Sequence, residues 1–182
     1  EGSMCALLGA DVEKAKALAV ASADGEICQL ANDNDPSQVV LSGHTGAIDR
    51  AIAAAKEHGI KRGIKLPVSA PFHCDLMQPA ADAMNAALAE TSPGPFKLPV
   101  YANVTAAEVT DPSEEQALLV QQVCGRVRWR ESVLAMQSAG VDHFVELGGK
   151  VLSPMIGRIA KDAATTSAFI MEDLETLAKE LG

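Results

Sequence analysis

The sequence predicts an α/β fold in two parts, and three observations lead to it. Residues 1–67 carry the order β-α-β-β-α-β, the ferredoxin-like arrangement of a small sheet backed by two helices. Residues 68–182 alternate short apolar strands with longer helices, the rhythm of a parallel α/β layer. At the junction, Leu66-Pro67-Val68-Ser69-Ala70-Pro71-Phe72-His73-Cys74-Asp75-Leu76-Met77 takes a strand into a helix through a proline-stiffened turn. Turns of this kind are where α/β sheets expose functional groups, so His73 is the first candidate for chemistry. On position alone it is equally a capping or packed histidine.

In the first part, residues 3–9 read as a strand closed by Gly9. Asp11 caps a helix over Val12–Ala21, with Glu13 and Lys14 on its solvated face. Asp24-Gly25 is a turn, Ile27–Leu30 a second strand, Asn32–Ser37 a polar loop, and Gln38–Leu41 a third strand. A second helix covers Thr45–Glu57, with Ile48, Ala51, Ile52 and Ala55 on one face and His58-Gly59 at its end. The fourth strand runs from Ile60 or Lys61 to Val68.

In the second part, a helix over Asp75–Glu90 breaks at Ser92-Pro93-Gly94-Pro95, and Phe96–Val104 reads as a strand interrupted by Pro99. Asp111-Pro112 with Glu114 and Glu115 is a cap, an N1 proline and an acidic first turn, opening a helix to Cys124. Trp129–Ser138 is a helix, Val141–Leu147 a strand, Lys150–Lys161 a helix, Ser167–Met171 a strand and Asp173–Leu181 a helix. Three strands are few for so many helices, which predicts that part of the sheet is missing. The opening Glu1-Gly2-Ser3-Met4, which enters a strand at once, also reads as a fragment.

Apolar residues at 48% and charged residues at 21% describe an ordinary globular chain. Aromatics at 3% leave the core to Ala, Val, Leu and Ile. A net charge of -9 with no basic run argues against a nucleic-acid partner. No apolar run reaches membrane length. Cys5, Cys28, Cys74 and Cys124 fit no zinc spacing and read as small core residues, which points to a reducing, cytoplasmic compartment.

A histidine base needs a nucleophile within hydrogen-bonding reach. Cys74 is adjacent, but neighbouring side chains at a turn rarely face each other. No G-x-S-x-G elbow occurs in the 182 residues. Gly43-His44-Thr45-Gly46 holds no serine at the elbow position and reads as a strand end and cap. His44, His58 and His143 have no partners that would make a metal site, and Trp129 reads as a core anchor.

The string Pro67-Val68-Ser69-Ala70-Pro71-Phe72-His73-Cys74-Asp75-Leu76-Met77 resembles the active-site histidine segment of malonyl-CoA:acyl-carrier-protein transacylases and of the acyltransferase domains of fatty acid and polyketide synthases. Asn32-Asp33-Asn34-Asp35-Pro36-Ser37-Gln38-Val39-Val40 is similar to that family's N-x-N-x-P-x-Q-x-V segment, and Tyr101-Ala102-Asn103-Val104 to its strand ending in N-V. Glu146-Leu147-Gly148-Gly149-Lys150-Val151-Leu152 is similar to its E-x-G-P-G-x-V-L, one position shorter and without the proline.

The resemblance covers nearly the whole chain. It implies an α/β-hydrolase-like large domain, partial here over 68–182, with residues 1–67 as its ferredoxin-like insert. It implies malonyl transfer from coenzyme A to the phosphopantetheine thiol of acyl-carrier protein, as in fatty acid biosynthesis, with no cofactor beyond the thioester substrate. His73 is then general base and acid, and Gln122 the residue whose backbone carbonyl accepts from its ring. The serine nucleophile lies upstream of this chain, so the 182 residues alone are expected to be inactive.

Phe72 is implied as a wall of the acyl pocket, against packing beneath the turn. Asn34 and Asn103 are implied near the substrate, against an Asx-rich loop and a backbone-satisfying side chain. Lys150 and the Arg126, Arg128, Arg130 cluster are open between phosphate or carrier-protein contacts and ordinary surface charges. The expected partners are malonyl-CoA and acyl-carrier protein, with no membrane and no nucleic acid, and the expected state is a monomer. Two further readings stay open: an acyltransferase domain excised from a synthase, and a non-catalytic ferredoxin-like binding or scaffold module.

Overall fold

Alternation and caps build the first sheet. β1 (Gly2–Leu8) and β3 (Gln38–His44) pair antiparallel along their full length, from Gly2 opposite His44 to Leu8 opposite Gln38. β2 (Cys28–Asp35) adds to the outer side of β3, and β4 (Arg62–Lys65) to the outer side of β1. The order β2-β3-β1-β4, all antiparallel, is the ferredoxin-like sheet. The computed structural model describes residues 1–91 and 93–182.

Helix α1 (Val12–Ala23) starts where the Asp11 carboxylate accepts from the Lys14 N–H at 2.8 Å, and α2 (Thr45–Ala54) follows β3 directly. Both lie on one face, where Cys5, Leu7, Leu18, Val39, Leu41, Ile48 and Ile60 form a sealed core. Each large side chain sealed there contributes roughly 1.5–3 kcal/mol. The opposite face carries a smaller cluster of Met4, Ala6, Ala31 and Val40 with Leu66 against it. This is the face from which the chain departs toward His73.

A 3-10 turn (Asp75–Met77) and α3 (Gln78–Ala89) come next. A short antiparallel pair follows, β5 (Val100–Ala102) with β6 (Ala107–Val109), then α4 (Pro112–Cys124). Asp111 caps α4 by accepting from the Ser113 N–H at 2.8 Å, and Pro112 occupies its first turn. Ala102, Val109 and Leu118 form the core there. Helix α5 (Trp129–Ser138) begins beyond a short extended strap. Compact units span residues 1–132 and 133–182. The second holds β7 (His143–Leu147) parallel to β8 (Ala164–Ala168), with α6 (Leu152–Ile159) between them and α7 (Met171–Leu181) after them. Among the described residues, no helix is long and apolar enough to cross a membrane.

Several elements differ from the sequence expectation. The stretch Asn32–Asp35, expected as loop, is the second half of β2. Asp33 and Asp35 face inward and are tolerated there because they have partners: Asp33 meets Arg130, and Asp35 accepts from the Ser37 N–H and hydroxyl. β4 ends at Lys65 rather than Val68. Leu66 still donates to Met4, but Pro67 has no N–H to continue the ladder.

The strand expected over Phe96–Val104 shrinks to β5, and β6 was not anticipated. The last strand lies at Ala164–Ala168, not Ser167–Met171. Its β-branched Thr165 and Thr166 pair with Phe144 and Val145, while Phe169, Ile170 and Met171 are left exposed. β7 and β8 pair parallel but β5 and β6 antiparallel, so the second part is not one parallel layer among the described residues. Of the expected break Ser92-Pro93-Gly94-Pro95, Ser92 lies outside the described residues; α3 ends at Ala89, and Pro93, Gly94 and Pro95 have no regular structure.

Candidate active site

The nine residues between β4 and the 3-10 turn have no regular structure, and His73 is placed within them by backbone shape. His73 has φ 59°, in the left-handed region. For an L-residue other than glycine or Asn/Asp that costs roughly 1–2 kcal/mol, and strain of this kind collects where a side chain must be presented. Cys74, next along, is fully buried, and its thiol donates to the Pro71 carbonyl at 3.1 Å. That bond closes the turn beneath the histidine and leaves Cys74 without a path to act as nucleophile.

The imidazole Nδ1 lies 2.9 Å from the Gln122 carbonyl oxygen and 3.1 Å from that of Gly125. Carbonyls only accept, so Nδ1 carries the proton and Nε2 is left for other work. Both acceptors sit at the C-terminal end of α4, where a helix leaves carbonyls without intrahelical partners. They orient the ring without placing a full negative charge beside it. The Gln122 side chain is held in turn, its Oε1 accepting from Asn103 Nδ2 at 3.1 Å.

Gly125 was not singled out in the sequence. A Cβ there would come within 2.7 Å of Val104 and 2.9 Å of the Gln121 carbonyl, so only glycine lets the strap pass this close. A second contact is also new. Gln29 on β2 clasps Asp75 twice, donating from Nε2 to the carboxylate at 2.7 Å and accepting from the Asp75 N–H at 2.8 Å. This ties the ferredoxin-like sheet to the turn two residues beyond His73.

Phe72 is 40% exposed, too open for a residue packed away beneath the turn. Asn34 lies half-buried on β2 and takes no part in the hydrogen bonds gathered at the imidazole among the described residues. Arg126 and Arg128 both pair with Glu131, and Arg128 also donates to the Val104 and Thr105 carbonyls. Trp129 is half-buried rather than a sealed core residue. An open cleft of about 540 Å³ beside the cluster is lined by Asp75, Gln78, Gly125, Arg126 and Arg128, among others.

The remaining thiols are unsuited to nucleophilic work. Burial pushes Cys5 up to about 12 and Cys28 to about 11, and burial with the nearby Asp75 carboxylate raises Cys124. In the second unit, Glu146 folds back over the Gly148-Gly149 turn and accepts from the N–H groups of Val151, Leu152 and Ser153. Burial pushes its carboxyl up, but these donors and the Ser153 hydroxyl outweigh it and hold the group down at about 2. Its role here is to cap α6.

No protein-family model matches the chain. The malonyl CoA-acyl carrier protein transacylase of Salmonella typhimurium (strain LT2) is 40% identical over 168 residues, 92% of this chain and 54% of that protein. The crystal structure of acyl-carrier-protein-S-malonyltransferase from Bartonella henselae matches with a TM-score of 0.95 and 43% identity, over 100% of this chain and 58% of that one. The chain is similar, along nearly its whole length, to members of the malonyl-CoA:acyl-carrier-protein transacylase family.

A family structure described as a type II polyketide synthase acyl-carrier protein in complex with its malonyl-transacylase also matches, with a TM-score of 0.94 and 33% identity over 98% of this chain and 58% of that one. The chain thus spans little more than half the length of the family members it matches. It shares the family's α/β architecture with a ferredoxin-like subdomain.

Proposed function

We propose that the protein containing this chain transfers a malonyl group from coenzyme A to the phosphopantetheine thiol of acyl-carrier protein, with His73 as general base and acid. The observation that carries the reading is the imidazole with Nδ1 held by the Gln122 and Gly125 carbonyls, which leaves Nε2 to exchange a proton. The similarity to malonyl CoA-acyl carrier protein transacylases supports the substrates.

In this scheme the nucleophile is a serine outside residues 1–182. Nε2 takes the proton from the serine hydroxyl as its oxygen attacks the thioester carbonyl. The carbon–sulfur bond then breaks, and coenzyme A leaves with the proton from the imidazolium. The carrier-protein thiol repeats the sequence in reverse, giving its proton to Nε2 as sulfur attacks the malonyl ester, and serine leaves with that proton. Neutral carbonyls suit a base that must work beside a substrate carboxylate, where an aspartate partner would add repulsion. The scheme uses no cofactor beyond the thioester.

The same reading divides the chain at residue 67 into insert and large domain, makes Phe72 a wall of the acyl pocket, and places Asn34 and Asn103 along the substrate path. A monomer acting in the cytoplasm belongs to it as well. The test is His73→Ala in the full-length protein. Loading from malonyl-CoA and transfer to carrier protein should both slow by ~10²–10⁴-fold. Unchanged rates in both half-reactions remove His73 from the chemistry.

A further inference from the structure

The carbonyls that hold His73 are themselves held. After α4 ends, Gly125 to Arg128 runs as a strap along the outer edge of β2. Val127 donates to the Ala31 carbonyl at 2.8 Å and accepts from the Asp33 N–H at 2.9 Å, so the strap joins the sheet as a one-residue parallel strand. Three residues beyond Val127, at the first turn of α5, Arg130 grips the Asp33 carboxylate with both arms of its guanidinium, Nε to Oδ1 at 2.9 Å and Nη2 to Oδ2 at 2.7 Å. Asp33 is 1% exposed. A fork of this geometry fixes orientation as well as distance, which a lysine cannot do. The Asp33 side chain also holds the Arg130 guanidinium firmly in its charged form.

We propose that Asp33 and Arg130 are a positioning pair for His73: by locking the strap to β2 they set where the Gln122 and Gly125 carbonyls stand, and so which imidazole nitrogen keeps its proton. The inference rests on the reading of His73 as the base. Its chain of contacts is short and continuous, from Asp33 to Arg130 and Val127, along three strap residues to Gly125, and across to Nδ1. A buried ion pair adds little stability compared with apolar packing, so geometric definition is the contribution to look for.

The test uses the full-length protein with ¹⁵N-labelled histidine. In the parent, His73 should show the Nδ1–H tautomer. The double variant Asp33→Asn with Arg130→Gln removes both charges and keeps an amide pair, avoiding the unpaired buried charge that either single deletion would leave. Its His73 signals should show mixed tautomers, with kcat reduced by about 10²-fold and KM for malonyl-CoA little changed. Arg130→Lys keeps the charge and loses the fork, leaves no unpaired buried carboxylate, and should fall between, so it serves as the second variant if the double one does not fold.

A folded variant with parental tautomer and kcat overturns the proposal. So does one whose only defect is a lower melting temperature. If the parent protein transfers no malonyl group, the functional reading fails, while the histidine spectrum still reports whether the pair orients the ring.

Discussion

Leu7, Leu18, Leu41, Ile48 and Ile60 are completely sealed between the first sheet and its helices, whereas Leu147, Val151, Ile170 and Met171 stand exposed around β7 and β8. The first region is held by a large sealed apolar core; the second buries fewer apolar side chains, among them Phe144, Ile156 and Leu177, and adds hydrogen bonds from a few polar ones. In the second, Glu146 caps α6, the Ser153 and Ser167 hydroxyls meet at 2.8 Å, and His143 reaches Thr166 at 2.9 Å. The comparison teaches that two α/β regions of one chain can both bury apolar side chains and still differ in how far polar side chains tie their strands and helices together. It also predicts that they respond differently to mutation and to acid.

The sharpest way to break the comparison is Leu41→Ala. A fully buried leucine replaced by alanine should cost about 2–5 kcal/mol, read as a lower urea midpoint for the first sheet. A loss under about 1 kcal/mol would mean the core collapses around the gap and burial matters less than stated.

For the second region, pH is the probe. The Glu146 carboxyl sits at about 2 when folded, below its ordinary 4.5, so its stabilising contribution is full above pH 4.5 and is lost as pH falls through about 2. Amide exchange at Val151, Leu152 and Ser153 should accelerate over that window. Glu146→Gln should remove the acid response and open the α6 N-terminus at neutral pH. An acid response that survives the substitution would place the sensitivity in another group.

The smallest expected effect tests the link from β2 to the histidine turn. Gln29→Ala removes two hydrogen bonds to Asp75, and each contributes about 0.5–1.5 kcal/mol. Exchange at the Asp75 N–H should rise while the Leu41 core stays unchanged. A rise shared by both would show that the turn and the sheet open as one body.

Legibility from sequence divides along the same line. β1, β3, α1 and the Asp111-Pro112 cap were readable because alternation and capping are local signals. β2 was cut short because the polar run Asn32–Asp35 looks like loop. The pairing with β3 makes it strand, and what lets Asp33 sit buried there is Arg130, 97 residues away, which no local pattern reveals. The last strand was placed on Ser167–Met171, a mostly apolar run, yet the pairing with β7 selects Ala164–Ala168, with Thr165 and Thr166 in the ladder. At the site, the strand-to-helix turn made His73 a candidate, and the resemblance of the string around it tipped the balance from a packed histidine to a base. Gly125 carried no signal at all, since its importance is a close approach to Val104.

The central claim is that His73 serves a nucleophile lying outside these 182 residues. The direct measurement is peptide mapping of the full-length protein after a short incubation with radiolabelled malonyl-CoA, alongside the isolated chain. The account predicts one stoichiometric ester on a serine outside residues 1–182, formed far more slowly in His73→Ala, and no label on the isolated chain. Kinetically competent labelling of Cys74, or of any serine within residues 1–182, would contradict it.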